Sequence, residues 1–480
     1  MVRTRRPLAA LLAAWAACGL PGCASETETV LAPAPPCAEL ELREAPLRRS
    51  VVLVVNDTMR RDRVGAYGGP AHTPVFDRFA AEGLLFEHAY SQAPWTKPSI
   101  ATLFTGLHPS QHGVLSHPAG GAAAVSDVLP RELTTLAETL AAAGYQTAAF
   151  VANPWLREDL GFAQGFETWD DAAAANDAPS EPLVRAALAW LAGRRDPRPF
   201  FLYLHTMDSH APYPPIAEET LAAREAELAA DDRPLPPAAQ AAIRNATRLV
   251  DGRRIAALGV PPSIALLGIA YDGGLAQFDA ALEQLLAGLA KRPDAGDLAI
   301  LVTSDHGEAL FERGWASHGH GLFDDEIAVP LAARLPGATG PARVECPVGL
   351  VDVMATLCVY LGLDCPAHDT GRSFLPSTGA EREPRWIVSE GVIAKPEHRA
   401  IRNGHVALLF EPRGRRVGAP SVADPYGLYL EDAGGERQPV PEELKSALAG
   451  AVTKQDAPRA AGVPLDAETR ARLEALGYAE

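Results

Sequence analysis

The sequence predicts an α/β fold: a three-layer α/β/α sandwich around a mainly parallel mixed sheet, with a smaller C-terminal α+β subdomain. Residues 51–55 and 298–303 are runs of almost only apolar residues. Such runs lack the alternation of a half-exposed strand and are typical of parallel strands covered on both faces. Apolar strands then alternate with helical stretches along 480 residues, enough for one large core and an appendage.

The middle of the chain supplies further elements of this sandwich. Strands are predicted at 147–152 and 199–204, where the sequence is again mostly apolar. A helix is predicted over 127–144, because Asp127 can cap it and Pro130 suits its first turn. These elements continue the alternation of strand and helix that an α/β sandwich requires.

The sequence changes character toward its C-terminus. A helix predicted at 278–289 leads into the strand at 298–303, as elsewhere in the main domain. Beyond it, residues 386–389 and 405–410 are predicted to form strands of a smaller sheet, and 465–476 a closing helix. We therefore expect a catalytic domain over 49–377 and a C-terminal subdomain over 378–480. The Ala-, Asp- and Arg-rich stretch 218–262 is predicted to be an insertion.

The N-terminus has the pattern of an export signal. Three arginines at positions 3, 5 and 6 precede an apolar run over 8–20 that is too short to span a bilayer. The run ends in Leu20-Pro21-Gly22-Cys23, which resembles the lipobox of bacterial lipoproteins. Residues 1–22 are thus predicted to be a signal peptide, Cys23 to be lipidated and 23–48 to be a flexible tether. The alternative is a cleaved secretory signal with an incidental cysteine.

Both alternatives place the mature chain outside the cytoplasm, in the periplasm or at the cell surface, and a lipid on Cys23 would anchor it to the membrane. In such an oxidising compartment Cys358 and Cys365, which flank a predicted helix end, are expected to pair. The formal charge of −17 argues against nucleic acid as a partner. It does not exclude a small anionic substrate, since a bound metal reverses the local field.

Acidic residues and a histidine follow two of the predicted strands. Asp57 comes shortly after residues 51–55, and Asp305-His306 follow 298–303. Ligands of open α/β sheets collect at the carboxyl ends of the strands. Two carboxylates and an imidazole suit one divalent metal, with Zn²⁺ or Mn²⁺ favoured and Ca²⁺ or Mg²⁺ as further candidates. The alternative for Asp57 is a helix cap or turn residue.

Thr96 is the candidate nucleophile and a further metal ligand. It stands at the start of a predicted helix, with Pro98 in the first turn and the apolar residues 100–104 behind it. Backbone N–H groups at a helix start favour an anion, but a hydroxyl attacks well only when a metal or a base lowers its pKa. The alternative is that Thr96 is merely the N-cap of the helix.

Three blocks of short motifs surround these residues. The first block consists of Asp57-Thr58-Met59-Arg60-Arg61-Asp62, Ala66-Tyr67-Gly68, Thr73-Pro74 and Asp77. The second consists of Thr96-Lys97-Pro98-Ser99, Thr105-Gly106 and His112-Gly113. The third consists of Asp305-His306-Gly307-Glu308, Val329-Pro330-Leu331 and Val351-Asp352. Jointly they resemble the motifs of the sulfatase family within the alkaline phosphatase superfamily, over nearly the whole mature length. The resemblance implies that fold, a metal site and ester hydrolysis.

The chain also departs from the sulfatase pattern. Sulfatases usually carry a Cys or Ser that becomes formylglycine where this chain has Thr96, and threonine cannot give that aldehyde. Their arginine two residues after the proline is Ile100 here, and their second N-terminal aspartate is Thr58. Their metal-binding Asp-Asn pair is Asp305-His306, and their lysine and histidine after a later strand are replaced by Val151-Ala152-Asn153-Pro154. No formylglycine is therefore expected.

The threonine favours phosphorus chemistry. A formylglycine hydrate releases sulfate by elimination, whereas a threonine alkoxide would be left as a stable sulfate ester. A phospho-threonine can instead be hydrolysed by water. A threonine nucleophile with an Asp-His pair resembles the phosphodiesterase branch and the phosphoethanolamine- or glycerolphosphate-transferase branches. The chain is thus predicted to hydrolyse phosphate diester bonds, or related sulfate or phosphonate esters, of a small anionic substrate.

Two histidines are predicted to assist this reaction. His318 lies where the family supplies a cationic contact to the substrate, and we expect it to donate to the leaving oxygen. His210 follows the strand at 199–204 and is expected to contact the substrate or a second metal, for which Asp208 and His320 are the other candidate ligands. The alternative for His318 is a structural role in its loop. Lys97 and Glu308 are expected either to support the residues that contact metal and substrate or to lie at the rim of the site.

Three other functions remain compatible with the sequence. A transferase would pass the phosphoryl group to an alcohol, but the transferases it resembles carry several membrane spans. A true sulfuric ester hydrolase would cleave sulfate esters faster than phosphate esters. A non-catalytic binding lipoprotein would keep the fold alone, and Ile100 and the missing lysine give that alternative some weight. A metal-dependent release of nitrophenol separates an enzyme from the binding protein.

Overall fold

A computed structural model of the chain describes residues 40–42, 48–115, 125–175, 179–214, 261–310, 312, 316–339, 342–366, 370–375, 385–393, 395–403, 407–410, 428–431, 437–438 and 462–464. They belong to one compact unit that spans Pro33–Glu480. Among these residues no helix combines the length and the apolar character needed to cross a bilayer.

An eight-stranded sheet forms the centre of the unit. In chain order its strands are β1 (Val51–Asn56), β2 (Leu84–Phe86), β3 (Gln146–Val151), β4 (Thr168–Asp170), β5 (Phe200–Thr206), β6 (Ala299–Thr303), β7 (Leu331–Arg334) and β8 (Arg343–Val344). Their order across the sheet is β8-β2-β7-β6-β1-β5-β3-β4. All neighbours are parallel except that β7 runs antiparallel to β2 and β6. The predicted mainly parallel mixed sheet is confirmed.

Eight α-helices accompany the sheet among the described residues. They are α1 (Pro74–Ala81), α2 (Thr96–Thr105), α3 (Pro109–His112), α4 (Leu136–Ala142), α5 (Ser180–Gly193), α6 (Pro261–Leu289), α7 (Asp324–Ile327) and α8 (Asp352–Leu361). Short 3₁₀ turns occur at Arg61–Arg63, Gly65–Tyr67, Glu158–Leu160, Ala172–Ala175 and Ala295–Asp297. Small antiparallel pairs join Glu41–Leu42 to Ala338–Thr339, Ala309–Leu310 to Ala316–Ser317, and Val125–Asp127 to Gly462–Pro464, and Ala89–Tyr90 pairs in parallel with Val348–Gly349.

The two faces of the sheet pack into two separate cores, because successive side chains of a strand point in opposite directions. Val51, Leu53 and Val55 of β1 pack in the core that contains buried residues of α2, α4 and α8. Val52 and Val54 pack in the core that contains buried residues of α1, α5 and α6. The arrangement is the predicted α/β/α sandwich.

The helix predicted over 127–144 was wrong in its first half. Asp127 ends the short strand Val125–Asp127, and α4 begins only at Leu136. Thr135 caps α4 in a reciprocal box, accepting from the backbone N–H of Glu138 at 3.1 Å while its own N–H donates to the Glu138 carboxylate at 2.8 Å. This local pair satisfies two helix-start donors, which Asp127 cannot reach.

The predicted pairing of Cys358 with Cys365 was also wrong. Neither cysteine forms a disulfide, and Cys358 is buried in the core that also contains residues of α2 and α4. Cys346 is disulfide-bonded instead. A cysteine that points into an apolar core packs as a small hydrophobic side chain, and spacing in the sequence does not reveal that direction.

A second, five-stranded antiparallel sheet follows the main one. Its strands are β9 (Ile387–Val392), β10 (Lys395–Arg402), β11 (Ala407–Phe410), β12 (Leu428–Glu431) and β13 (Arg437–Gln438), in that order across the sheet. The strands predicted near 386–389 and 405–410 are β9 and β11. The predicted helix at 465–476 lies outside the described residues, as does the insertion at 218–262 up to the start of α6.

β9 supports the segment that leads into α2. The backbone N–H of Glu390 donates to the Gln92 carbonyl at 2.8 Å. The Ser389 hydroxyl donates to the carbonyl of Ser91 at 2.6 Å, and the Trp95 indole N–H donates to the carbonyl of Gly391 at 3.2 Å. These bonds fix the chain directly before Thr96.

Candidate active site

Four neighbouring strands end at one edge of the sheet and bring polar side chains together there. Asp57 follows β1, Asp305 and His306 follow β6, and Asn153 follows β3. His205 is the second-to-last residue of β5. Parallel strands share their carboxyl edge, and β6, β1, β5 and β3 are consecutive in the sheet. All five side chains are fully buried.

The turn after β1 is held in a strained backbone conformation. Thr58 has a φ of 60°, which is unfavourable for a β-branched residue. Its N–H donates to Asp305 Oδ1 at 3.3 Å, and its carbonyl accepts from the Tyr271 hydroxyl at 2.6 Å. The next N–H, of Met59, donates to the Ser304 hydroxyl at 2.8 Å. The turn therefore aims the Asp57 carboxylate at the site after β6.

Thr96 is the first residue of α2, and its hydroxyl points at this cluster. Oγ1 donates to Asp57 Oδ2 at 3.4 Å and lies 3.3 Å from His306 Nε2. The residue before it, Trp95, occupies the N-cap position, and the helix has no side-chain cap there. The alternative that Thr96 is only a helix cap was thus wrong, because its oxygen faces the two strand ends.

Asn153 links the hydroxyl and the carboxylate. Its Nδ2 donates to Asp57 Oδ2 at 2.6 Å and to Thr96 Oγ1 at 3.2 Å. Its side-chain oxygen accepts from the backbone N–H of Trp155 at 2.7 Å, which fixes the orientation of the amide. An N–H donor aimed at the oxygen of Thr96 is in place to stabilise negative charge on that oxygen or on a group bound to it.

The buried cluster fits a divalent cation. Ligand atoms of Asp57, His205 and Asp305 lie within 4.8 Å of one another. Among the described residues, Asp57 Oδ1, Asp305 Oδ2 and both ring nitrogens of His205 have no hydrogen-bond partner. Buried polar atoms are normally satisfied, so a group of orphans that face one another indicates a ligand. Oxygen and imidazole donors suit a metal of intermediate hardness such as Zn²⁺ or Mn²⁺.

His306 adds a fourth donor next to the two carboxylates. Its Nε2 lies 3.4 Å from Asp57 Oδ1 and 3.4 Å from Asp305 Oδ2. Its Nδ1 is 2.9 Å from the carbonyl of Gly307, a contact that leaves Nε2 directed at the cluster. The predicted ligands Asp57, Asp305, His306 and Thr96 therefore converge, and His205 joins them.

The charges of the cluster depend on one another. Burial raises the pKa of Asp57, and the negative charge of Asp305 raises it further. Burial also opposes ionisation of Asp305, but the charges of His306 and His205 outweigh it and hold the pKa of Asp305 below its usual range. Burial disfavours a charged His306, yet the carboxylates of Asp305 and Asp57 raise its pKa. Positive charge is thus favoured between the two carboxylates, where a cation would compete with the proton on His306.

The two predicted assisting histidines lie on the His306 side of the cluster. The His318 ring centroid is 4.4 Å from that of His306, and the His210 centroid is 5.1 Å from that of His318. His318 Nδ1 is 3.3 Å from a carboxylate oxygen of Glu308, which orients the ring. Both histidines are nearly buried. The two rings therefore form a row that begins next to His306.

Two other candidates lie away from this row. Asp208 accepts from the backbone N–H of Ser180 at 3.0 Å and from the Gln277 amide at 2.8 Å, so it tethers α5 and α6 instead of facing the cluster. His320 is exposed. Lys97 is fully buried beside the Ser126 hydroxyl and over the Trp155 ring, with its Nζ 5.4 Å from the ring centroid. Because it is buried, Lys97 does not lie at the rim of the site, and a supporting position next to Thr96 stays a prediction.

Sequence reasoning missed His205 and the function of Asn153. His205 pairs in register with Val55 on one side and Val151 on the other, in the middle of three apolar strands. An imidazole in such a run is the signal that could have been used, because a buried polar ring needs a partner. Asn153 gave a weaker signal, a polar residue directly after a strand end.

The fold resembles that of solved structures of known enzymes. The phosphonate monoester hydrolase of Agrobacterium radiobacter superposes with a TM-score of 0.61 at 20% identity, over 85% of this chain and 94% of that one. The enzyme SpPMH from Silicibacter pomeroyi, also a phosphonate monoester hydrolase, gives 0.60 at 17% identity over 85% and 96%. The sandwich of this chain therefore has the fold of these two enzymes.

The sequence comparisons define the family. The profile of the Sulfatase family matches residues 49–363, more than half of the chain, and the chain belongs to this family. A Delta 4,5-hexuronate-2-O-sulfatase of Bacteroides thetaiotaomicron is 21% identical over 379 residues, 72% of this chain and 76% of that protein. PehA, a multifunctional alkaline phosphatase superfamily protein of Trinickia caryophylli, is 25% identical over 426 residues, 71% and 79%. The chain is a hydrolase that acts on ester bonds.

Proposed function

We propose that the protein is a metal-dependent hydrolase that cleaves phosphate diester or phosphonate ester bonds with Thr96 as its nucleophile. One observation carries the proposal: Thr96 Oγ1 lies 3.4 Å from Asp57 Oδ2 and 3.3 Å from His306 Nε2, in a fully buried position at the start of α2. This hydroxyl does not cap its helix, and its contacts are to the ionisable groups that follow two strands, which is the arrangement of a nucleophile beside its activating groups.

Asp57, His205, Asp305 and His306 would hold the cation, with the Thr96 oxygen beside it. When bound, a divalent metal supplies Lewis-acid stabilisation of negative charge on the reacting oxygens. The chain itself fixes the geometry: Asp57 and Asn153 hold the Thr96 hydroxyl in one rotamer, and α2 directs its first-turn N–H groups toward an anionic ester. Both effects favour attack by a pre-positioned oxygen.

The reaction proceeds in two displacements. In the first, the bond between Thr96 Oγ1 and phosphorus forms as the bond from phosphorus to the leaving alcohol breaks. In the second, water attacks phosphorus, the bond to Oγ1 breaks, and the threonine is restored. Thr96 Oγ1 gives up its proton in the first step and regains one from water in the second. The sum is a phosphate diester or phosphonate ester plus water giving an alcohol plus a phosphate monoester or a phosphonate, and both steps are in-line transfers of a phosphoryl-type group.

His318 and His210 are assigned to the departing alcohol. The His318 ring lies next to that of His306, and the His210 ring lies next to that of His318. Glu308 is placed to orient His318, with 3.3 Å between the carboxylate oxygen and Nδ1. His318 then donates from Nε2 to the leaving oxygen, which neutralises the charge that develops there. His210 contacts the same region of the substrate from the loop after β5.

The preference for phosphorus over sulfur rests on the threonine. A secondary alcohol gives a sulfate ester that must be cleaved by water at sulfur, whereas a phosphoryl ester on the same oxygen is open to a second in-line displacement. Several relatives, among them the hexuronate-2-O-sulfatase, are sulfatases, which favours sulfate esters as the second candidate. Substrate discrimination between the two classes is therefore the decisive measurement.

The test compares three nitrophenyl esters with the same leaving group: a phosphate diester, a phenylphosphonate and a sulfate. We expect metal-dependent release of nitrophenol from the first two, which EDTA stops and Zn²⁺ or Mn²⁺ restores. Intact mass after rapid quenching should show a phosphoryl or phosphonyl group on the chain, lost in Thr96→Val. Faster turnover of the sulfate ester would overturn the preference. No metal-dependent turnover of any ester would leave the fold as a binding protein.

We also propose that the protein is exported and carries a lipid on Cys23, which holds it at the membrane in the periplasm or at the cell surface. The support is the arginine-led apolar run that ends in Leu20-Pro21-Gly22-Cys23. Labelling of expressing cells with a clickable fatty acid should mark the native chain and not Cys23→Ser. Equal labelling of both, or recovery of both in the cytosol, would contradict this proposal.

A further inference from the structure

A basic groove lies at the edge of the central sheet opposite the candidate active site. Its volume is about 560 Å³, and three segments within residues 48–50, 194–199 and 292–298 line it. Each segment directly precedes a central strand: β1, β5 and β6. These strands are parallel, so their amino ends meet at one edge. β1 has six residues, which separates the groove from Asp57 by about 20 Å.

The groove is more basic than the protein as a whole. Five arginines and three aspartates line it, namely Arg48, Arg49, Arg194, Arg198, Arg292, Asp196, Asp294 and Asp297. The whole chain has a formal charge of −17. A local excess of arginine on an acidic protein is not expected from composition, and clustered guanidinium groups mark sites for phosphate or carboxylate groups.

Some of these arginines are balanced by carboxylates. Arg198 pairs with Asp196 at 2.6 Å and with Glu167 at 2.8 Å. Arg292 pairs with Asp294 at 2.8 Å. These ion pairs hold the walls of the groove and leave little charge for a ligand.

Arg48 and Arg194 are held differently. Arg48 is exposed and donates to the carbonyl of Ala143 at 3.0 Å. Arg194 donates to the side-chain oxygen of Gln146 at 2.6 Å and to the carbonyl of Arg198 at 2.6 Å. These partners are neutral oxygens, so they orient the guanidinium groups without cancelling their charge. Both arginines keep the capacity to bind an anion.

Two like charges also share one aromatic ring. The guanidinium carbons of Arg194 and Arg292 lie 4.9 Å and 5.0 Å from the ring centroid of Phe200, which is fully buried. Burial lowers the pKa of Arg194, and the positive charge of Arg292 lowers it further. Because Arg292 is already paired with Asp294, an anion near this ring would be bound by Arg194.

We propose that this groove binds the phosphate group of anionic phospholipid headgroups and seats the protein on a membrane surface. The choice of a lipid rests on chain connectivity. The N-terminal segment, which carries the predicted acylation site Cys23, enters the described fold at Glu41–Leu42, which pairs with Ala338–Thr339 shortly after β7 ends at the same edge of the sheet. The chain then continues through Arg48 and Arg49 in the groove wall. A chain tethered at that point presents this edge first. The candidate active site, at the opposite edge of the sheet, then opens away from the lipid.

The test measures co-sedimentation with vesicles of phosphatidylcholine alone and of phosphatidylcholine mixed with phosphatidylglycerol in equal parts. All proteins carry Cys23→Ser, so that acylation contributes nothing. We expect binding to the anionic vesicles only. The double variant Arg48→Gln with Arg194→Gln should bind roughly 25-fold more weakly, at about 5-fold for each basic residue near an anionic surface. The matched control, Arg131→Gln with Arg185→Gln, changes two exposed arginines outside the groove and should bind like the parent.

Hydrogen–deuterium exchange locates the contact. Anionic vesicles should protect residues 194–198 in the parent protein and not in the groove variant, and equal hydrolysis of a nitrophenyl ester shows that the variant is folded. Equal weakening by both double variants would mean that only net charge matters, and would overturn the site. Equal protection of 194–198 by glycerol phosphate in solution would show a small-anion site, and overturn membrane seating.

Discussion

Replacing Thr96 by valine separates the nucleophile from every other contribution of this residue. Valine has nearly the same shape, so it fills the buried space at the start of α2 and leaves no cavity. The substitution removes only Oγ1, which contacts Asp57 Oδ2 at 3.4 Å, His306 Nε2 at 3.3 Å and Asn153 Nδ2 at 3.2 Å. The consequences for folding and for catalysis can therefore be worked out separately.

The cost to stability is modest. All three contacts are long, so their joint loss should lower the free energy of unfolding by about 1–3 kcal/mol. Asn153 Nδ2 keeps its 2.6 Å bond to Asp57 Oδ2 and is not left without an acceptor. The catalytic loss should be far larger. Removal of a nucleophile lowers kcat on the order of 10⁶-fold, which corresponds to about 8 kcal/mol.

The assay follows hydrolysis of a nitrophenyl phosphate diester and chemical denaturation in parallel. Thr105→Val is the matched control, because Thr105 is also a buried threonine of α2 and its hydroxyl donates only to the carbonyl of Ala101, at 2.7 Å. The control should keep nearly full activity. If Thr96→Val were folded and still within tenfold of the parent, Thr96 would not be the nucleophile and the two-displacement mechanism would fail.

Two further predictions concern buried histidines. His205→Leu should weaken metal binding by at least roughly 10–100-fold, measured as metal content after dialysis against a graded chelator. Burial lowers the pKa of His112 from 6.5 to about 3. Between these two pH values the ring therefore binds a proton in the unfolded chain but not in the folded protein. As the pH falls below 6.5, the free energy of unfolding of the parent should decrease by about 1.4 kcal/mol per pH unit more than that of His112→Leu.

Each of these predictions has a clear contrary outcome. Unchanged metal content in His205→Leu would place His205 outside the metal site and leave Asp57, Asp305 and His306 as its ligands. For His112, the free energy of unfolding of the parent and of His112→Leu is plotted against pH from pH 7 to pH 4. The two curves would be parallel only if the imidazole had the same pKa in the folded state as in the unfolded chain. Parallel curves would contradict the buried neutral ring that accepts from the Val114 N–H at 3.1 Å.

The sequence allowed the convergence of Asp57, Thr96, Asp305 and His306 to be predicted because each belongs to an element with a strong local signal. Two apolar runs without polar alternation define central strands, and a proline in a first turn defines the helix start. Parallel strands necessarily share a carboxyl edge, so residues 57 and 305 meet there whatever the details of packing. The same local signals place β3, β5, β9 and β11 nearly correctly.

By itself, then, the sequence determined the fold class, the edge that carries the chemistry and four of the side chains there. Only the tertiary structure decided that His205 joins them, because the direction of a strand residue depends on register with β1 and β3 and on which helix covers that face. It also decided that the Asn153 amide reaches Thr96 and that α4 begins at Leu136. Finally, it decided that Cys358 packs in the core and does not pair with Cys365. These features depend on contacts between residues distant in the chain, and no local pattern encodes such contacts.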